Sequence, residues 1–310
     1  MTVARSAASR PSDSGPARLP DRSGYAERPD GVRIAFNVYG AGNPTIVMLP
    51  SAPIIHSRQW KAQVPFLSRY WRVVTYDGRG NGASDRPTNP EAYQAERIVG
   101  DLEAVLDATA TRRAVLVGLC GDGVLPSFLF AAACPERVAG IVAIAVGLPF
   151  LTPPHPFRVG NSFSDPCETY EGWQKLNMHY WRQDYADFAS FFFGEMLPEP
   201  HSTKLHEDLV QWTVDGDAEA MTADMLADHT PPFPPDRDAV ERLALEIRCP
   251  LLIVHGTNDH CQPYPRAVRL AELTGAPLVT VEGGGHIIPG RHPVLTNLLI
   301  RDFVRSLEVS

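Results

Sequence analysis

Apolar residues dominate short runs at 45–49, 72–76, 114–119, 138–145, 250–254 and 278–281. A run of that length without polar alternation is expected of a strand covered on both faces, as in a parallel sheet. Segments of helical character lie between them, at 92–108, 124–133, 266–273 and 293–307. Strands that alternate with helices predict an α/β fold, with a mostly parallel central sheet flanked by helices and right-handed crossovers. Two further strands, at 25–27 and 32–38, are joined by the turn signal Pro29-Asp30-Gly31.

The pattern breaks in two places. Residues 1–22 are rich in Ser, Ala, Arg and Pro without apolar periodicity, which predicts a disordered tail, with folded structure starting near Gly24. Two proline clusters, at 152–156 and 230–235, bracket a mostly helical stretch, aromatic-rich in its first half and acidic in its second. This predicts a core made of 23–152 and 231–310, with 153–230 inserted as a helical lid over the C-terminal edge of the sheet. Open α/β sheets bind ligands at that edge. Most of the lid's aromatic residues must form its own small core; Trp173 and Trp181 are the candidates for facing a pocket.

Composition narrows the partners. With 310 residues the chain can bury a large core, and its net charge of −8 without a basic block makes nucleic acid and anionic membranes poor partners. Five scattered cysteines, without C-x-x-C pairs or metal-ligand spacing, and no signal-like segment predict a reducing, cytoplasmic setting. No apolar run approaches the ~18 residues of a membrane span. No cofactor is predicted: the stretch 77–84 is glycine-rich after a strand but has neither G-x-G-x-x-G nor a Walker lysine, and is expected to be a structural turn.

Chemistry centres on the end of the 114–119 run. There the sequence reads Gly118-Leu119-Cys120-Gly121-Asp122-Gly123 and leads into a helical segment. A strand, a glycine-lined turn and a helix push the apex residue out of the sheet in a strained conformation, as in the G-x-S-x-G nucleophile elbow. Here the apex is Cys120. A buried small residue in a βα turn is the competing explanation for a cysteine there. A cysteine nucleophile needs a base and a group to orient that base. Downstream, the 250–254 strand leads to Gly256-Thr257-Asn258-Asp259, and the 278–281 strand leads to Glu282-Gly283-Gly284-Gly285-His286. Nucleophile, acid and histidine thus occur in the chain order that this turn requires. The three glycines predict a mobile loop that lets His286 reach across the edge. His255 and His260 are weaker base candidates. For an oxyanion, Gly121 offers one N–H, and Ser51 or Ala52 the other, since Pro50 and Pro53 have none. His56, with Ser57, Arg58 and Trp60, is expected to line the same mouth.

The order of these elements resembles the α/β-hydrolase superfamily from about residue 24 onward. Leu49-Pro50-Ser51, His56-Ser57-Arg58-Gln59-Trp60, the 76–84 stretch and Gly118-Leu119-Cys120 carry the likeness, and the elbow cysteine is similar to dienelactone hydrolases and polyhydroxyalkanoate synthases. The resemblance implies acyl-transfer chemistry through Cys120, Asp259 and His286. The chain departs from the superfamily where Pro50-Ser51 replaces the usual His-Gly, and where Asp122 replaces the usual glycine of the elbow. A carboxylate there raises the thiol pKa unless it points away or has its own proton-transfer task.

The expected function is hydrolysis of an ester, lactone or thioester with an apolar or aromatic part, in a setting such as secondary metabolism. Acyl transfer, elimination of a carboxylate, and non-catalytic binding of a small molecule are the alternatives.

Overall fold

Each of the apolar runs becomes a strand in the computed structural model, which describes residues 18–51, 54–230 and 232–308. The strands are β1 (Arg22–Glu27), β2 (Arg33–Tyr39), β3 (Thr45–Met48), β4 (Val73–Tyr76), β5 (Ala114–Leu119), β6 (Val138–Ile144), β7 (Leu251–Gly256) and β8 (Leu278–Val281). They form one eight-stranded sheet in the order β1-β2-β4-β3-β5-β6-β7-β8. The pairs β1/β2 and β2/β4 are antiparallel, and every other pair is parallel. The six parallel strands therefore end on one common edge.

Period-two alternation fixes which face each side chain serves. On β3 and β5, Ile46, Met48, Val115 and Val117 enter one core, while Val47, Ala114 and Leu116 enter the other. The first core is closed by α1 (Val64–Leu67), α9 (Ile288–Arg291) and α10 (Pro293–Glu308). The second is closed by α2 (Ala95–Ala108), α3 (Cys120–Ala133), α7 (Arg237–Glu246) and α8 (Tyr264–Thr274). Both faces are covered, so the strands are apolar throughout.

Between β6 and α7 the chain forms α4 (Met178–Met196), α5 (Lys204–Val214) and α6 (Ala218–Leu226). This segment rests on the loops at the C-terminal strand edge. His286 N–H donates to the Met196 carbonyl at 3.0 Å, Thr213 Oγ1 donates to the Ile54 carbonyl at 3.0 Å, and His155 Nε2 lies 2.8 Å from the Asp259 carbonyl.

The N-terminal boundary differs from expectation. Most of the expected tail, residues 1–17, lies outside the described residues, but order begins before Gly24. Asp21 donates its N–H to Val38 O at 2.8 Å and accepts the Gly40 N–H at 2.6 Å, extending the β1/β2 hairpin.

Candidate active site

Cys120 is the first residue of α3 and adopts φ 59°, a left-handed conformation that side chains with a Cβ rarely take. The turn holds because glycines let its two arms touch. A Cβ on Gly118 would lie 2.5 Å from the Gly123 backbone, and one on Gly123 would lie 2.8 Å from Gly118 Cα. Gly147, just beyond β6, has no room for a Cβ against the Gly121 backbone nitrogen. The helix starts at the apex cysteine, four residues before the apolar pattern signals it, and carries Pro126 within it.

Asp259 and His286 converge on this turn. Asp259 Oδ2 lies 2.8 Å from His286 Nδ1, and Oδ1 accepts the N–H groups of Cys261 and Gln262 at 2.7 and 2.9 Å. His255 completes the support. Its Nδ1 accepts the Val146 N–H at 3.0 Å, so its proton sits on Nε2, 3.0 Å from the Gln262 carbonyl and 3.3 Å from Asp259 Oδ2. His260 lies outside this set, between Glu195 and Asn258.

The glycine loop before His286 packs tightly, where the sequence predicts mobility. Asn258 N–H bonds the Gly284 carbonyl at 2.9 Å, Gly284 N–H bonds Val281 O at 3.0 Å, and Gly285 N–H bonds the Glu199 side chain. The glycines serve close approach: a Cβ on Gly284 would press to 2.7 Å against Val281, and one on Gly285 to 2.5 Å against Pro198.

A second sulfur completes the cluster. The ligating atoms of Cys120, Cys261 and His286 all lie within 4.8 Å of one another. Gln262 Nε2 sits between the sulfurs, 3.4 Å from Cys120 Sγ and 3.6 Å from Cys261 Sγ. Arg158 Nη1 approaches Cys261 Sγ at 3.5 Å and its carbonyl at 2.9 Å. Two thiols and an imidazole are a plausible donor set for a thiophilic metal by residue type, but the Arg158 guanidinium already places a positive charge at Cys261.

These contacts separate the two thiols. Cys261 is held well below the usual thiol range by the adjacent Cys120 thiol, then by the charge of His286 and of Arg158. Cys120 is pushed well above it by the neighbouring Cys261 sulfur, then by burial and by Asp122. Burial opposes charge on His286, yet Asp259 and Cys261 together hold its pKa well above the usual histidine range. Asp259 stays below the carboxylate range despite its burial, because His286 and His255 face it. These surroundings favour negative charge on Cys261 over Cys120 and positive charge on His286.

Asp122 extends the site into a recessed cavity of about 310 Å³. Its side chain is open to that cavity while protein surrounds the cavity itself, and burial, followed by the charge of Cys261, pushes its carboxyl up to about 6. Asp224 lies on the same cavity, 8% exposed, with burial and then Asp122 raising its carboxyl well above the usual range. Pro50, Tyr76, Tyr93, Pro126, Met225 and Phe233 supply much of the remaining wall. Arg79 borders it too, but is locked to Asp101 at 2.6 Å and to Asp30 at 3.0 Å.

The other expected residues fall elsewhere. Ser51 is buried and gives its hydroxyl to Gln59 Oε1 at 3.0 Å, while Trp60 Nε1 holds the Leu49 carbonyl at 2.9 Å. Gln59 and Trp60 thus brace the loop that carries Ser51; Ala52 lies outside the described residues. His56 accepts the Arg58 N–H at 3.2 Å as a cap, packs on Trp212, and borders a different cavity, with Ser57 and Asp77. Trp181 packs among Phe163, Tyr185 and Phe188 within the inserted segment. Trp173 lies nearer the chemistry: the Arg158 guanidinium that reaches Cys261 sits 4.5 Å above its ring. Sequence reading missed Cys261, Arg158 and Asp224. Only Cys261 left a signal, two positions after the acid in the same loop.

The description "alpha/beta hydrolase fold" matches residues 44–293 of the chain. A non-heme chloroperoxidase of Streptomyces lividans is 27% identical over 283 residues, covering 89% of this chain and 98% of that protein. An esterase, RhEst1, from Rhodococcus sp. ECU1013 superposes with a TM-score of 0.75 at 20% identity, covering 92% of this chain and 99% of the esterase. An enol-lactonase from Burkholderia xenovorans LB400 superposes with a TM-score of 0.73 at 22% identity, covering 91% of this chain and all of the lactonase.

Proposed function

The chain belongs to the alpha/beta hydrolase fold family, and from that premise we propose that it hydrolyses an ester, lactone or thioester with Cys120 as nucleophile, His286 as proton carrier and Asp259 as its anchor. The observation that carries this reading is the convergence of Asp259, His286 and the strained Cys120 at one strand edge.

The charge state of the site sets the order of events. In the resting enzyme His286 already holds one thiol proton, and the two sulfurs share the other. As a substrate carbonyl meets Cys120, that shared proton passes to Cys261, and the Cys120 thiolate forms the new C–S bond. The N–H of Gly121 and one from the Ser51–Ala52 loop receive the oxyanion. The tetrahedral adduct collapses, the leaving oxygen or sulfur departs, and His286 protonates it. His286, now neutral, takes a proton from water, which attacks the thioester and frees the acid. Asp259 holds the imidazole tautomer throughout.

The substrate's apolar part fits the cavity beside Asp122, whose volume of about 310 Å³ is small for a ligand site. Residues 153–230 act as its lid, through Asp224, Met225 and His229. Turnover of a panel of aryl esters, lactones and acyl thioesters in oxygen-18 water tests the reaction type. One heavy oxygen in the released acid is the expected result. Turnover without incorporation assigns the chemistry to acyl transfer or elimination, and no turnover across the panel leaves a binding protein.

A further inference from the structure

The role assigned to Cys120 does not use Cys261 fully, and the surroundings of the second sulfur are unusual for a buried core cysteine. Free cysteine in an apolar core is inert, with its thiol protonated. Cys261 is buried, yet it faces a guanidinium at 3.5 Å, a side-chain amide at 3.6 Å, and an imidazole nitrogen and a second sulfur within 4.8 Å. Each of these stabilises a thiolate. Cys120 and Cys261 both carry free thiols. The other cysteines lie apart from them in the fold: Cys134 follows α3, Cys249 precedes β7, and Cys167 lies in the inserted segment.

We propose that Cys120 and Cys261 are a reversible oxidation site, closed to an intramolecular disulfide by hydrogen peroxide and reopened by a dithiol reductant. The geometry suits both steps. The sulfurs are already within 4.8 Å, and side-chain rotation has to bring them to the S–S bond length of about 2.05 Å. Arg158 and Gln262 bind the sulfur side of the pair, and the backbone of Cys261 is fixed by its N–H bond to Asp259 at 2.7 Å.

The chemistry balances in two steps. The Cys261 thiolate attacks one peroxide oxygen, the O–O bond breaks, and hydroxide leaves, taking the proton of the His286 imidazolium to become water. Cys261 is now a sulfenic acid, oxidised by two electrons. Cys120 then attacks the sulfenic sulfur, the S–O bond breaks, and the departing hydroxide takes the Cys120 proton as a second water. Two thiols and one peroxide thus give one disulfide and two waters. A thiol adjacent to a sulfenic acid traps it before it reaches the irreversible sulfinic level. The elbow sulfur is thereby silenced and protected together.

The consequence for activity rests on Cys120 being the nucleophile; formation of the bond does not. The fully reduced protein is treated with increasing hydrogen peroxide, alkylated under denaturing conditions, and measured by intact mass and peptide mapping before and after dithiothreitol. The expected product is lighter than the reduced protein by about 2 Da before alkylation, carries two fewer alkyl groups after it, and yields a Cys120–Cys261 cross-linked peptide that dithiothreitol removes. Cys261→Ser, under the same peroxide, should gain about 32 Da at Cys120, and dithiothreitol should not reverse it. Sulfinic Cys120 in the wild type with Cys261 still alkylated would overturn the inference, as would a disulfide formed by any other pair. A cross-link in a protein that never acylates Cys120 keeps this inference and removes the nucleophile; acylation without a cross-link does the reverse.

Discussion

Asp259 Oδ2 joins His286 Nδ1 at 2.8 Å, while Oδ1 accepts the N–H groups of Cys261 and Gln262. One carboxylate therefore fixes both the imidazole tautomer and the loop that carries the second sulfur. Asp259→Asn keeps the shape but presents an amide where the imidazolium needs a charge. Its kcat should fall by about 10³–10⁴-fold with little change in KM. Steady-state kinetics on the best ester of the panel measures this, and a loss below tenfold contradicts the anchoring role.

The same pair sets a pH window for stability. His286 has a raised folded pKa, so its contribution is complete below the unfolded histidine value of about 6.5 and is lost as pH rises through the folded value. Asp259 has a lowered one, so its contribution is complete above about 3.9 and is lost as pH falls through the folded value. His286→Gln should therefore lower the melting temperature more at pH 6 than at pH 10. Equal losses at both pH values remove the ion pair from the account.

Asp122 works in the opposite direction. Its carboxyl stays protonated to about 6 in the fold, whereas the unfolded chain ionises near 3.9. Stability is thus lost as pH rises from about 4 to about 6 and does not return above. Asp122→Asn removes this loss, so its advantage over the wild type should be absent at pH 3.5 and present at pH 7.5. Because the group is open to the cavity, solvent screens it, and a rise of about 1–2 °C in melting temperature is expected. A mutant that is less stable than the wild type at pH 7.5 contradicts this environment.

Gly118 and Gly123 lock the elbow through backbone atoms that have nowhere to move, 2.5 Å from a Cβ built on Gly118. Gly118→Ala should destabilise the protein by about 3 kcal/mol in urea unfolding, near the upper end for overpacking. A neutral result places the strain elsewhere.

Arg158 accounts for part of the charge on Cys261. Arg158→Met should move the pH–rate profile for alkylation of Cys261 by iodoacetamide upward by about one unit, slowing the reaction on the profile's rising limb. Peptide mapping of the labelled protein distinguishes Cys261 from Cys120. An unchanged profile means that His286 and Cys120 alone hold the thiolate.

Much of this is legible in the sequence alone. The six parallel strands follow from apolar runs, because burial on both faces removes the polar residues that would otherwise alternate, while β1 and β2 are marked by the turn signal Pro29-Asp30-Gly31 between them. The helix α7 was hidden by its surface: only Val240, Leu243 and Ala244 are buried in a segment otherwise charged, though Asp236 caps it. Chain order and strand ends brought Cys120, Asp259 and His286 together. Cys261 and Asp224 could not be found that way. Their neighbours Cys120 and Asp122 lie more than 100 residues away in sequence, and no periodicity records a meeting across the mouth of a sheet. His56 is expected at the mouth from its place in the loop after β3, and Trp181 facing a pocket from its place among the aromatics of the inserted segment. One caps a turn and the other fills the core of the inserted segment.

The central claim is that Cys120 carries the acyl group. Wild-type protein mixed with a slight excess of an activated aryl ester, quenched in acid within the first turnover, should gain the acyl mass on the Cys120 peptide alone, and Cys120→Ala should gain none. Acyl mass on Cys261, or labelling that survives in Cys120→Ala, would contradict the account.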